Sequence, residues 1–277
     1  MAGTLYVVGT PIGNLEDWSV RAVRTLQQVD FIAAEDTRVT LKLLNHFEIK
    51  KPMVSYHEHN ARQKGPEIVR QLLDGQNGAI VTDAGMPCIS DPGEDLVRLC
   101  AEAGVPVQVI PGPTAAMSAL ALSGLSTGKF AFEGFLPAQH KERLAALEEV
   151  RRERRTLIFY EAPHKLSACL EDMAQVLGER KVSLCRELTK IHEEVRRTTL
   201  PEAAAYYREN VPRGEFVLVV EGCPEEEAQP EAISFAEAVE LVRRLAAGGA
   251  PLSQAAKDVA RQTGYKKNDL YKSALED

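Results

Sequence analysis

At 277 residues the chain is long enough for two ordinary domains and a small appendage. Its composition, 44% hydrophobic and 26% charged, is ordinary for a globular protein, and no apolar run approaches the ~18–20 residues of a membrane span. A net charge of −7 does not advertise a nucleic-acid binder, although Arg151–Arg155 (RRERR) and the pair Arg196, Arg197 are locally basic.

Five widely spaced cysteines with no C-x-x-C pair argue against a disulfide framework and against a zinc site, so a reducing, cytoplasmic setting is expected. Histidines are few and form no metal constellation, so no metal is expected. No Lys or Arg precedes Arg21, and the apolar run near the N-terminus is too short for a secretory signal.

In chain order, Thr4–Val8 reads as a strand ending in the loop GTPIGN, followed by a helix over about Asp17–Gln28. Phe31–Ala34 and Met53–Tyr56 are further strands, each followed by a polar cluster and a helix, the second over 61–74. Ala79–Val81, a helix over Gly93–Ala103, strand Val105–Ile110 and a helix over 114–122 complete the first half. Strand–helix alternation of this kind predicts a parallel sheet covered on both faces. The linker GLSTGK then leads to strand Phe130–Phe135, helix 139–152, strand Thr156–Tyr160, helix 164–177 and strands Val182–Leu188, Val195–Leu200 and Phe216–Glu221. The alternating polarity of 195–200 suggests an exposed antiparallel pair in a mixed sheet. After the linker-like CPEEEAQP (223–230) come three helical patterns, Ser234–Ala246, Leu252–Thr263 and Lys266–Leu275, with Ser253 as an N-cap and Gly264 as a C′ residue. The last two have helix-turn-helix proportions. The expected domains are therefore 1–122, 123–224 and 231–277.

The stretch Ala79–Gly93, AIVTDAGMPCISDPG, is a short strand followed by two prolines that fix φ and two glycines that permit positive φ. That describes a rigid loop at the carboxyl end of a strand, where open α/β sheets bind ligands. Glu35-Asp36-Thr37-Arg38, His57-Glu58-His59-Asn60, Asp83 and Glu161-Ala162-Pro163-His164 also fall at strand ends. Each alone could be a helix cap or a solvated turn; together they mark one functional edge. GTPIGN is neither G-x-x-x-x-G-K-[ST] nor G-x-G-x-x-G, which disfavours a nucleotide triphosphatase or a Rossmann dehydrogenase.

GTPIGNLEDWSVRAVRTL, AAEDTR, SYHEHN, TDAGMPCISDPG, PGPTAAMSAL, FEGFLP, EAPHKL, CRELTK and GEFVLVVEG resemble the ribosomal-RNA small subunit methyltransferase I family, the RNA-modifying branch of the tetrapyrrole methylase superfamily. The resemblance implies two α/β domains with the cofactor, S-adenosyl-L-methionine, in the cleft between them, plus a small helix-turn-helix tail. It implies 2′-O-methylation of a cytidine in the decoding region of 16S rRNA within the small ribosomal subunit, by a homodimer. Carried over by motif, the cofactor residues are Pro11, Gly85, Met86, Ile89, Thr114 and Ala115, with Tyr160, Glu161 and Leu188 from the second domain. Tetrapyrrole enzymes usually carry G-x-G-x-G-D after the first strand and G-D-P in the middle loop. GTPIGN and Gly85-Met86-Pro87 depart from both, which weakens a porphyrin substrate.

Methyl transfer from a sulfonium is chiefly positioning work in an apolar pocket, for which Met86 and Ile89 are suited. A base taking the ribose proton could be Asp36, His57, Glu58, Asp83 or Glu161, with Glu161 or Asp83 favoured. Arg38, His57, Asn60, Arg186 and Lys190 are candidates to grip RNA. Asp91 and Pro92 are expected only to start the next helix. Two competitors stay open: a methyltransferase for a tetrapyrrole or other small molecule on the same fold, and a non-enzymatic regulator using the helical tail to bind nucleic acid.

Overall fold

The computed structural model describes residues 1–224 and 234–275, so most of the expected linker (225–230) lies outside the described residues. Met1–Gly222 and Cys223–Asp277 form two compact units. The first contains two five-stranded sheets.

In the first sheet, β1 (Leu5–Val8), β2 (Phe31–Ala34), β3 (Met53–Ser55), β4 (Gly78–Val81) and β5 (Val107–Ile110) lie in the order β3-β2-β4-β1-β5, with every pairing parallel. Alternation along the strands builds two cores. Leu5, Val7, Phe31 and Ala33 pack against α3 (Ala61–Leu73) and α4 (Glu94–Glu102) through Ile68, Leu72, Leu96 and Cys100. Val8, Ile32 and Ala34 face the other way, against α1 (Val20–Gln28) and α2 (Thr37–His46) through Ala22, Leu26 and Leu44. The expected helix from Asp17 is instead a 3₁₀ turn, Leu15–Asp17, followed by α1, because the Ser19 hydroxyl accepts the Ala22 N–H and caps the helix there.

The second sheet has the order β6-β7-β10-β8-β9, from β6 (Phe130–Phe135), β7 (Thr156–Glu161), β8 (Lys181–Arg186), β9 (Glu194–Thr199) and β10 (Phe216–Val220). Only β6 and β7 are parallel neighbours, so it is mixed, and β8–β9 is antiparallel as the alternating polarity suggests. One face packs on α6 (His140–Glu149), α7 (Pro163–Leu177) and α8 (Leu200–Glu209). The opposite face packs on α5 (Ala115–Ser123) through Ala116, Ala119 and Leu120. By packing, the change from the first sheet to the second therefore comes before Ala115, ahead of the linker at 123–129. The C-terminal carbonyls of α5 are capped by the Arg197 guanidinium, which donates to Leu122 O and Ser123 O.

In the second unit, α9 (Phe235–Ala247), α10 (Leu252–Thr263) and α11 (Lys267–Leu275) close around Val239, Val242, Ala256, Val259 and Leu270. Ser234 and Glu237 form a capping box on α9, and Gly264 takes the left-handed conformation after α10. Ser253 does not cap α10. The helix begins at Leu252, so the capping position is Pro251, two residues earlier, whose ring sets an extended entry to the first turn.

Candidate active site

The carboxyl ends of β1, β4 and β5 are locked together. Thr10 N–H donates to Gly85 O at 2.8 Å and Gly85 N–H returns to Thr10 O at 3.2 Å, while the Thr10 hydroxyl reaches Thr82 O at 3.1 Å. Gly9 meets Gly112 backbone to backbone: a β-carbon on Gly9 would lie 2.7 Å from Gly112 Cα. Trp18 closes the loop from outside, its indole N–H on Gly9 O at 2.9 Å. The stretch 85–93 is held in an unusual backbone, with Gly85 and Gly93 at positive φ and also Cys88 (φ 71°) and Ser90 (φ 60°), which carry side chains. Left-handed non-glycine residues are costly and collect where geometry serves function. Glu187 and Thr189, after β8, are the same.

Those two strained loops meet the other sheet. A β-carbon on Gly13 would sit 3.0 Å from Leu188 O and 2.5 Å from Lys190 Cγ, and one on Gly134 would lie 3.4 Å from Ser90 Oγ. Ile12 shares an apolar cluster with Leu188, Val217, Ala115 and Tyr160. Three hollows lie along these loops. One of about 40 Å³ is lined by Ile12, Ala115, Leu188 and Val217; one of about 380 Å³ lies against Pro111–Pro113, Ser118 and Thr189. The third, about 760 Å³, is lined by Glu35, His57, Glu58, Cys88, Ser90 and Asp91 among others.

Beside that cavity is a cluster of carboxylates. The Thr82 hydroxyl donates to Glu35 Oε2 at 2.6 Å, and Asp36 N–H donates to Asp83 Oδ1 at 3.3 Å. Burial, and secondarily the Glu35 charge, raise the Asp83 carboxyl above its ordinary range. Asp91 moves further. Burial, then the charges of Glu35 and Asp83, push it up to about 6. Asp91 does not cap the next helix, whose N-cap is Gly93. It lines the large cavity, a placement that sequence reasoning missed, because a carboxyl before Pro-Gly looks like a helix start and its neighbours come from the ends of β2 and β4.

Of the carboxylates and histidine expected to act as base, Asp83 stays in the cluster and Glu58 lines the large cavity. The other three are engaged within the chain, although His57 also lines that cavity. Glu161 is buried; it follows Leu157 and Phe159 onto the helix-covered face of β7, accepts Ala162 N–H at 2.8 Å and lies beside the Cys169 thiol. Tyr160, one residue earlier, faces the first sheet, so strand alternation excludes Glu161 from the same side. Asp36 is paired with Arg38 at 2.6 Å, which holds its carboxyl far below the usual range. The His57 ring accepts from Asn60 at Nε2 (3.3 Å). The Asn60 amide is oriented by His57 N–H on its Oδ1 and by its own bond to Ser55 O, and His57 Nδ1 is buried.

The residues expected to grip RNA are likewise engaged within the chain: Arg38 with Asp36, Arg186 with Glu194 at 2.9 Å, Lys190 with Glu187 and Glu215 at 3.0 Å each, and Asn60 as above. Among the cofactor residues, Pro11 is buried, Gly85 is in the bridge to Thr10, and Ala115 and Leu188 line one hollow. Thr114 caps α5 through Met117 N–H at 3.2 Å, and the Tyr160 hydroxyl accepts Ala116 N–H at 3.2 Å. Neither Met86 nor Ile89, expected to form an apolar wall, lines the hollow of Ile12 and Leu188. The Met86 sulfur accepts Gly112 N–H at 3.3 Å and its chain packs on the core, while Ile89 is 54% exposed. That hollow is lined by Ile12 and Val217 together with Ala115 and Leu188. Among the described residues no cluster of three or more His, Cys, Asp or Glu could hold a metal, and no helix is long and apolar enough to cross a membrane.

Residues 4–204 match the family model for Tetrapyrrole (Corrin/Porphyrin) Methylases, and 232–277 match that for the RsmI C-terminal HTH domain. The chain is 51% identical over 271 residues to a protein of Halalkalibacterium halodurans named Ribosomal RNA small subunit methyltransferase I, covering 97% of this chain and 93% of that one. A Synechocystis protein of the same name is 49% identical, with 99% and 98% covered. Among solved structures, the methyltransferase CobJ superposes with a TM-score of 0.61 at 16% identity, covering 80% of this chain and 95% of that one. Diphthine synthase gives 0.59 at 11%, covering 81% and 92%; identities this low speak for the fold alone. With strand-end loops joined across two sheets and near-full-length identity of about half, the chain belongs to the Tetrapyrrole (Corrin/Porphyrin) Methylases and, within them, to the ribosomal RNA small subunit methyltransferase I family.

Proposed function

We propose that this protein is an S-adenosyl-L-methionine-dependent methyltransferase acting on the ribose 2′-oxygen of a cytidine in the decoding region of 16S rRNA, on small ribosomal subunits in the cytoplasm. The observation that carries the RNA reading is identity of 45–51% with relatives of that name across both units, against 11–20% with the solved corrin, porphyrin and diphthine enzymes. The loop sequences GTPIGN and Gly85-Met86-Pro87 favour the same branch.

The residues present fit the cofactor. Ile12, Ala115, Leu188 and Val217 offer an apolar lining, with Glu187 and Glu215 rather than an unpaired cation at its edge, since both hold Lys190. The adjoining hollow of about 380 Å³ falls in the ordinary range for ligand sites. When bound, the cofactor supplies an electrophilic methyl group. The chain's own task is to place the ribose hydroxyl and take its proton. Asp91 is suited to the second part: it lines the large cavity, its basicity is raised above that of an ordinary carboxylate, and its charge reaches Tyr160 on the other sheet. The strained turn through Cys88 and Ser90 fixes where it points.

A homodimer belongs to the same reading. Val109 on β5 and Met117 and Leu122 on α5 are exposed apolar side chains that a second copy would cover. Light scattering should give twice the chain mass; a monomer at micromolar concentration removes this part.

The test supplies labelled S-adenosylmethionine with assembled small subunits, naked rRNA, a tetrapyrrole precursor or duplex DNA. Label on the ribose of one cytidine in the subunits is the expected result. Label in the tetrapyrrole alone, or duplex binding without methyl transfer, overturns it.

A further inference from the structure

Phe135 ends β6 as a large apolar side chain that is 58% exposed, beside the strained loop of the first sheet. It is on that side because of one extra residue. Along β6 and β7, Phe132 pairs with Ile158, Gly134 with Phe159 and Phe135 with Tyr160, so Glu133 is a bulge. In an unbroken strand Phe135 would lie on the opposite face from Phe132, among the side chains against α6 and α7. The bulge inverts the alternation and brings both phenylalanines to Tyr160: the Phe132 and Phe135 ring centroids are 5.0 and 5.4 Å from that of Tyr160. Bulges that re-aim a side chain in this way are common beside active sites.

The surroundings say what would cover the ring. Gly134 approaches Ser90 Oγ, and Ser90 and Asp91 line the 760 Å³ cavity. Tyr160 feels the Asp91 charge and is itself held by Ala116 N–H. Phe135 is thus exposed one residue beyond Gly134, which meets Ser90 of the cavity lining, and is buttressed edge-on by the Tyr160 ring. A flat, uncharged ring joined to a hydroxyl-bearing sugar matches both parts: an exposed aromatic face to stack on and, in the cavity that neighbouring Ser90 lines, a carboxylate.

We propose that Phe135 is the stacking platform for the nucleobase of the target nucleotide, holding it out of the RNA while its ribose lies toward Asp91. The inference rests on the RNA reading above and adds to it the residue that positions the base. Stacking is tolerant of base identity, since every base has a π-face. Phe135 therefore contributes to affinity and rate, not to the choice of cytidine.

The experiment compares wild type with Phe135→Ala and Phe135→Trp, using small subunits that carry cytidine or uridine at the methylated position. Phe135→Ala should lose ~5–150-fold in kcat/KM, the range of base–aromatic stacking, by the same factor on both substrates. Phe135→Trp should stay within a few-fold of wild type. S-adenosylmethionine affinity by calorimetry, oligomeric mass and melting temperature should be unchanged. Full activity in Phe135→Ala overturns the proposal. So does weakened cofactor binding, which would make the ring part of the cofactor pocket, or dissociation of the dimer, which would make it an interface residue. If wild type labels no RNA at all, the proposed function fails first; that result is distinct from labelled RNA with an indifferent Phe135.

Discussion

Asp91→Asn should lower kcat on small subunits ~10²–10⁴-fold, the contribution of a positioned general base, while cofactor affinity stays near wild type. The substitution keeps shape and removes the proton acceptor. In the wild type the carboxyl is held at about 6 by burial and by Glu35 and Asp83, so it is mostly ionised at pH 7 and more basic than a solvated aspartate. kcat/KM should therefore fall as pH drops through about 6, and Asp91→Asn should lack that limb. Stability should move in the opposite sense. The folded pKa lies above the unfolded one, so the folded state loses stability as pH rises from the unfolded value of ~3.9 through about 6. Asp91→Asn escapes that loss. Relative to wild type it should gain ~1 kcal/mol at pH 8, discounted for partial solvent exposure, and nothing at pH 3.5, as read by denaturant titration at the two pH values. Retained turnover in Asp91→Asn would move the base to Asp83, the other raised carboxyl of the cluster.

Gly9→Ala should weaken cofactor binding at least tenfold through geometry alone. The added methyl would lie 2.7 Å from Gly112 Cα, Gly112 N and Met86 Sδ, and two of these are backbone atoms that cannot rotate away. Separating the β1 and β5 loops also strains the Thr10–Gly85 bridge and the Trp18 bond to Gly9 O. A loss of ~1–3 kcal/mol in stability is expected from overpacking, together with at least a tenfold weaker Kd for S-adenosylmethionine, because the loops that would line the site can no longer converge. Gly128→Ala is the control: nothing lies within 4 Å of its added carbon, so it should behave as wild type. Wild-type affinity and melting in Gly9→Ala would mean that the close approach of Gly9 to Gly112 does not shape the cofactor site.

Much of the architecture was legible in advance because it depends on short-range patterning. Apolar runs such as Phe31–Ala34 and Ala79–Val81 are buried on both faces and sit in a parallel sheet, as expected of continuous runs. The alternating 195–199 forms an antiparallel edge strand, half-buried rather than exposed. Leu200–Glu209 is a helix that the strand pattern of 195–200 hides, although Thr199 and Glu202 form a capping box with Pro201 in the first turn. Its signal is present, but Leu200 reads as part of the preceding strand.

The site was legible only as a list of loops. Sequence by itself determined which strand ends carry polar clusters, that the stretch 79–93 is a stiff turn, and, through long ordered motifs, the family. Tertiary structure decided which side chains face one another. Glu161 and Tyr160 are adjacent in sequence yet lie on opposite faces of one strand, and a single bulge at Glu133 sends Phe135 to the face of Tyr160. Arg38, Arg186 and Lys190 look like free cations in the sequence but meet carboxylates in the fold. Asp91 looks like a helix start in the sequence, and its carboxyl is raised by burial and then by Glu35 and Asp83 from other strand ends. Periodicity is local, whereas electrostatics, burial and the side to which a side chain points depend on partners brought together only by the fold.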